Sequence, residues 1–132
     1  MRIPDRRLKI VAAVSGIYDA LVGVVMLAGR PILAQLFSVS LPTPPIHADL
    51  NGLFLLSVAA GYLIPYRDPD SPGGRAYLWI MGPFLKGAGA AAFVIDYVVR
   101  QSPPSLLLFA LSDGTLALLT LAALVTSPRA DA

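Results

Sequence analysis

The sequence predicts an all-α fold, namely an integral membrane four-helix bundle whose helices run up and down in antiparallel order. Of its 132 residues, 56% are hydrophobic and 14% are charged, whereas a soluble domain usually carries about 25% charged residues. The mean hydropathy is +0.71. Four apolar stretches also approach the length of about 20 residues that a helix needs to cross a bilayer. So small a chain could not bury this much apolar surface in a soluble core, and a membrane is therefore expected.

The four helices are predicted to form a single membrane domain, 1–132, separated by breaks rich in proline. Their expected positions are about 8–29, 49–66, 76–99 and 105–126. The breaks read SVSLPTPPIH, YRDPDSPGGR and RQSPPS, and proline ends a helix because it lacks the backbone N–H. The longest break, about 30–48, is the predicted outer loop, whose start PILAQLFSV forms either a short interfacial helix or an ordered loop. The first stretch is too long for a signal peptide and contains Asp19.

The basic residues predict the orientation of a multi-pass protein of the cell inner membrane. Loops rich in Lys and Arg stay in the cytoplasm. With a cytoplasmic N-terminus, the residues inside are Arg2, Arg6, Arg7, Lys9, Arg67, Arg75 and Arg129, and those outside are Arg30 and Arg100. The aromatic residues expected at the inner interface are Tyr62, Tyr66, Tyr77 and Trp79. Both termini are therefore predicted to be cytoplasmic.

Small residues predict where the helices pack, because helices in lipid associate through close backbone approach. The run GAGAAA, 87–92, is small on every side of helix three, which indicates that this helix is central. Ala12, Gly16 and Ala20 recur every four residues on helix one. The same surfaces would suit a homo-oligomer or a larger membrane complex, in addition to the lipid bilayer.

Lys86 stands in the apolar segment MGPFLKGAGAAAF with no charged neighbour nearby in the sequence. An ionisable side chain at the bilayer centre costs about 2.5–3.5 kcal/mol. A helical rise of about 1.5 Å per residue puts Asp19 at the same depth and Asp113 about 5 Å closer to the outside. We therefore expect Lys86 to pair with Asp19, with Asp113 or with both.

This predicted polar centre holds one positive and two negative charges. Either one carboxyl group keeps a proton, or a cation or polar ligand joins the site. Candidate hydrogen-bonding residues beside it are Ser15, Tyr18 and Ser112. Its role stays open between fixing the register of the helices and binding or conduction.

A second polar layer is expected at the outer surface and would form an outward mouth. Its members are His47, Asp49, Asn51 and Asp96. Simpler roles compete for three of them. Asp49 would cap a helix, Asp96 would pair with Arg100 one turn away, and His47 would be a solvated loop residue.

The composition argues against several function classes. The chain has no cysteine and one histidine, which leaves little material for metal binding or nucleophilic catalysis. It contains no nucleotide-binding loop and no hydrolase or metalloprotease motif. A net charge of +2 does not indicate a nucleic-acid partner. We therefore predict no catalytic residue, no metal and no cofactor, and expect a non-enzymatic protein.

Three segments resemble small bacterial four-helix membrane proteins of the DoxX-like type: GIYDALVGVVML, LNGLFLLSVAAGYL and SDGTLALLTLAAL. The resemblance implies a bacterial inner-membrane protein that is accessory to a larger system. The leading hypothesis is thus an accessory or assembly subunit. One alternative is a small transporter or channel for a proton, ion or small polar solute, and another is a lipid- or quinone-binding membrane enzyme.

Overall fold

The computed structural model describes residues 5–127, which form five helices and, within that range, no strand. The helices are α1 (Arg6–Ala28), α2 (Arg30–Phe37), α3 (Ile46–Arg67), α4 (Pro72–Arg100) and α5 (Pro104–Thr126). All except α2 are long and apolar enough to cross a membrane. The predictions of an all-α protein and of four helices long and apolar enough to span a membrane are confirmed. Arg2 and Arg129, which the orientation prediction counts, lie outside the described residues.

Capping residues set the starts of two long helices. The Asp5 carboxylate accepts a hydrogen bond from the Arg7 amide at 2.8 Å, and the Ser71 hydroxyl accepts one from the Gly74 amide at 3.0 Å. Pro72 occupies the first helical position, where its missing N–H has no intrahelical partner to lose. The helix predicted from about 76 therefore begins earlier, because a polar cap extends the apolar run.

The middle of α4 is a π-helical stretch, Ile80–Lys86, with Pro83 inside it. Proline cannot donate to the helical hydrogen-bond ladder, and a wider π turn is a common local solution to such a break. Lys86 closes this stretch midway between the ends of α4. It is therefore about 20 Å along the helix from either end.

The central helix is α1, which packs against both α3 and α5. The prediction that helix three is central is wrong for its second part, because no residue of Gly87–Arg100 is buried. That segment packs on α5, and the small residues allow the close approach there. A helix that is small on every side has no preferred face, so the sequence did not reveal that only one face is used.

The two ends of the described chain meet at one end of the helices, which defines the terminal half. There the Ser127 hydroxyl donates a hydrogen bond to the Asp5 carboxylate. This bond lowers the pKa of that carboxyl below its ordinary value. The terminal half also contains the apolar core, whose members include Leu8, Ala12, Leu78 and Leu124.

The opposite end, the loop half, contains α2 and the connections on either side of it. The segment predicted as either an interfacial helix or an ordered loop is helical over Arg30–Phe37. The Phe37 ring stacks on Phe109 with centroids 4.7 Å apart, and the Ser105 hydroxyl donates to the Phe37 carbonyl at 2.6 Å. These contacts attach α2 to the start of α5.

One member of the predicted aromatic belt is placed wrongly. Tyr66 and Trp79 are exposed, as a belt requires, but Tyr62 is 2% exposed. Its ring lies edge-on to Tyr77, with centroids 5.2 Å apart, and its Cβ approaches Gly16 so closely that a side chain there would come within 3.0 Å. Gly16 thus admits Tyr62 into the interior, which the position of Tyr62 near a helix end did not suggest.

Candidate functional site

The candidate site surrounds Lys86, which is 5% exposed at the centre of α4. Its ammonium Nζ lies 2.5 Å from Asp19 Oδ1 on α1 and 3.7 Å from Asp113 Oδ1 on α5. The predicted buried salt bridge between Lys86 and Asp19 is confirmed. The three side chains come from three different helices, so the site exists only when those helices pack together.

The two carboxylates differ in burial and in their distance from the Lys86 ammonium. Asp19 is 1% exposed and accepts a direct hydrogen bond from Lys86. The side chain of Asp113 keeps 19% of its surface exposed, and its contact with Lys86 is longer. If all three groups are ionised, the single ammonium leaves one surplus negative charge, and the geometry concentrates it on Asp113.

Two of the predicted hydrogen-bonding residues line the same centre. The hydroxyls of Tyr18 and Ser112 are 2.7 Å apart and link α1 to α5. Lys86 Nζ also lies 5.0 Å from the centroid of the Tyr18 ring, within the range of a cation–π interaction. Tyr18 thus contacts the lysine through its ring. Ser112 contacts the hydroxyl of Tyr18, and it precedes Asp113 in the chain.

Ser15, the third predicted residue, is fully buried one helical turn from Asp19. The Tyr62 hydroxyl lies beside it. Within residues 5–127, neither of these hydroxyls has a hydrogen-bond partner, nor has the second carboxylate oxygen of Asp19. Tyr62 is the site residue that the sequence analysis missed. The available signal was Gly16, which lies next to Ser15 and leaves room for a large side chain.

A pocket of about 210 Å³ opens beside the centre. Its polar lining comes from Tyr18, Asp19, Asn51, Lys86 and Asp113. Gly89 also lines it, and a side-chain carbon at that position would lie 3.6 Å from Asp113 Oδ2. The pocket extends from Lys86 toward Asn51 near the start of α3, and therefore toward the loop half.

Of the four residues predicted to form the outward mouth, Asn51 alone lines this pocket. Asp49 forms an ion pair with Arg30. Asp96 pairs with Arg100 at 2.9 Å and accepts a hydrogen bond from Ser102. His47 is exposed. Asp96 thus has the simpler role considered for it, as the partner of Arg100. Asp49 lies in the first turn of α3 but makes no side-chain cap there, and its partner is Arg30 instead.

Over residues 5–127, no three histidine or carboxylate side chains come together as a metal site would require. Comparisons with protein families, with curated proteins and with solved structures find no match to this chain.

Proposed function

We propose that the protein is a multi-pass protein of the bacterial inner membrane, an antiparallel up-down four-helix bundle with both termini in the cytoplasm. Four helices of sufficient length and apolarity support it. The sorting of basic residues supports the orientation. The DoxX-like resemblance supports the bacterial setting. The orientation is tested by fusing reporter domains to each terminus, one type active only in the cytoplasm and the other only outside it. Activity of the outside reporter at either terminus would contradict the proposed orientation.

For its activity, we propose binding of a proton or a small cation at the polar centre, as a small transporter or channel would require. The observation that carries this proposal is the inequality of the two carboxylates. Both carboxylates line the pocket, but Asp19 is in direct contact with Lys86 at 2.5 Å, whereas Asp113 lies 3.7 Å from it and is the more exposed of the two. A cation that arrives through the pocket therefore meets a carboxylate whose charge is only partly compensated.

Electrostatics favours such a ligand. An isolated carboxylate in the bilayer interior costs about 2.5–3.5 kcal/mol, and a proton or cation on Asp113 removes the surplus negative charge of the centre. An anion would instead add to that surplus. Small cationic or protonated species are therefore the ligand class that the charges of Lys86, Asp19 and Asp113 select.

Packing favours access from the loop half. The core of Leu8, Leu78 and Leu124 lies on the terminal side of the centre, and the pocket extends from the centre in the other direction, past Asn51. In the proposed orientation, the pocket side corresponds to the outer face of the membrane. The ligand would reach Asp113 before it reaches Asp19.

Reconstitution into lipid vesicles tests the proposal. Uptake is followed for protons with an enclosed pH dye and for sodium and methylammonium with radiolabel. We expect uptake by the wild type and its loss in Asp113→Asn, while the variant keeps its folded yield. Asp96→Asn is the matched control, because Asp96 pairs with Arg100 outside the pocket. Wild-type vesicles that take up none of the three cations, or equal uptake by Asp113→Asn, would reject the proposal.

The accessory or assembly subunit remains the second candidate, and the tight Lys86–Asp19 pair favours it, since a purely structural ion pair is expected to be short and buried. The triple variant Lys86→Met, Asp19→Asn, Asp113→Asn separates the two. If it folds and still supports the activity of a larger complex, the centre is structural. Loss of cation uptake in a well-folded triple variant supports binding.

The lipid- or quinone-binding alternative would use a different surface. An apolar groove of about 470 Å³ lies between α1 and α3, lined in part by Ala13, Gly16, Ala59 and Ala60.

A homo-oligomer would use the exposed small residues of α4, among them Ala88 and Ala91. Light scattering of the purified protein in detergent measures the number of copies, and a monomeric mass would reject the oligomer.

A further inference from the structure

Three buried polar atoms belong to Asp19 and to two residues on its terminal side that do not line the pocket. They are Asp19 Oδ2, the Ser15 hydroxyl and the Tyr62 hydroxyl, and within residues 5–127 none of them has a hydrogen-bond partner. Their residues are 1%, 0% and 2% exposed. Ser15 and Asp19 share a face of α1, one turn apart. Tyr62 on α3 packs over Gly16 of α1.

The chemistry of these three atoms matches one water molecule. A buried polar atom without a partner is costly, and a buried water typically makes about three hydrogen bonds. The carboxylate oxygen accepts, and each hydroxyl both donates and accepts. A water can therefore donate to Asp19 and to Ser15 while it accepts from Tyr62. A hard metal cation would instead ask for about six oxygen ligands, twice the number that this cluster offers.

We infer that Ser15, Asp19 and Tyr62 bind a single water molecule, and that this occluded site lets Asp19 receive a proton from the pocket side of the centre. The inference rests on the proposed function and narrows it, because it names the proton as the species that passes Lys86. Lys86 Nζ contacts both carboxylates and can relay a proton between them by exchanging one of its own, which it cannot do for sodium or an organic cation.

The proton transfer balances without any further reactant. A proton from the pocket binds Asp113. The Lys86 ammonium gives a proton to Asp19 and takes the one held by Asp113. The net change moves one proton from Asp113 to Asp19 and leaves Lys86 charged. The proton arrives on Asp19 Oδ1, the oxygen that Lys86 contacts. The water continues to donate to Oδ2, so the acid form leaves no buried oxygen of Asp19 without a partner.

The groups that face Asp19 come from every helix packed around it. They are Tyr18 on α1, Tyr62 on α3, Lys86 on α4 and Asp113 on α5. The Tyr77 hydroxyl on α4 is nearby but is directed to the Val58 carbonyl. The ammonium favours the ionised form of Asp19 and the Asp113 carboxylate opposes it. Protonation of Asp113 removes this opposition, so Asp19 takes a proton only if Lys86 removes the proton from Asp113 in the same exchange and restores the negative charge there.

A double-mutant cycle on stability tests the water site directly. If the water is present, Tyr62→Phe removes one of its hydrogen bonds, and the ratio of folded to unfolded protein falls by about tenfold. Ser15→Ala has a similar effect, and the two changes together cost much less than the sum of both, because they share the water. Without the water, Tyr62→Phe removes an unsatisfied hydroxyl and leaves stability unchanged or raised, which would overturn the inference.

The matched control is Tyr77→Phe. The Tyr77 hydroxyl donates directly to the Val58 carbonyl at 2.5 Å. Tyr77→Phe therefore lowers stability whether or not the water is present, and its effect adds to that of Ser15→Ala. Equal non-additivity in the two cycles would overturn the water site, because the coupling would then not be specific to Tyr62.

Vesicle uptake tests the relay separately. We expect proton uptake to slow in Tyr62→Phe and to persist in Tyr77→Phe. Sodium or methylammonium uptake by the wild type without proton uptake would reject the relay and leave the proposed cation binding in place. If the wild type takes up none of the three cations, the proposed function and the relay both fall, whereas a non-additive cycle would still establish the water.

Discussion

The terminal half and the loop half of this protein are built from the same four long helices but pack in different ways. In the terminal half, Leu8 and Leu78 are fully buried, and Gly82 lies against Thr120 so closely that no side chain fits there. In the loop half, the whole of Gly87–Arg100 has no buried residue. Ion pairs and stacked aromatic rings hold that half instead.

Lys86 lies where the two halves meet, and this position explains how it can be both stabilised and reachable. Close packing on one side excludes solvent and lipid and holds Asp19 against the ammonium. Looser packing on the other side leaves the pocket beside Asp113. A charge in the middle of the terminal half would have no access, and one in the loop half would lack fixed partners.

The largest difference is expected in chemical accessibility, and the absence of cysteine from the chain makes it measurable. Gly89→Cys places a thiol in the pocket, and Ser15→Cys places one on the sealed side of Lys86. A small cationic methanethiosulfonate should modify the first and spare the second in the folded protein. Both thiols should react after unfolding. Equal reactivity in the folded protein would show that the terminal half is not sealed.

The contribution of an ion pair to the free energy of unfolding should be much larger in the buried centre than in the loop half. Lys86→Met leaves buried carboxylates without their cation and should cost about 3–5 kcal/mol of unfolding free energy. Arg100→Met breaks a pair whose arginine side chain is 78% exposed and should cost about 0–1 kcal/mol. Denaturant unfolding in detergent micelles measures both. Similar losses would remove the distinction between the halves.

Core packing should matter in the terminal half alone. Leu78→Ala creates a cavity at a fully buried position and should lower stability by about 2 kcal/mol or more. Val99→Ala, at a position that is 72% exposed, should change it by about 0.5 kcal/mol or less. The same unfolding assay compares them, and a large effect of Val99→Ala would indicate that another copy of the chain covers that face.

The smallest effect is expected where the chain ends meet. Asp5→Ala removes the cap of α1 and should cost about 1 kcal/mol. The Ser127 hydrogen bond lowers the pKa of Asp5 below its ordinary value of 3.8. Its contribution to stability is therefore complete above that pH and is lost as the pH falls through the lower, folded-state pKa. Unfolding curves against pH should show this acid loss in the wild type and a weaker one in Asp5→Ala.

Much of the fold was predictable because lipid leaves few options to a chain. Backbone polar groups in a bilayer must pair within the chain, so a long apolar stretch must be a helix. The need of Lys86 for a carboxylate was predictable for the same reason, because an unpaired ammonium at that depth is too costly. Depth counting along the helices was enough to select Asp19 and Asp113 as its candidate partners.

The remaining features depend on which helix faces meet, and that is a property of the packed structure. The sequence by itself determined the helical segments, their apolar character and the requirement for a buried counter-charge, since these follow from local composition and the cost of charge in lipid. Tertiary packing alone decided that α1 is central, that Tyr62 turns inward over Gly16, and that Asp19 contacts Lys86 directly while Asp113 lies farther from it. The physical reason is that small residues permit contact on several faces, and the fit of side chains from other helices selects one of them.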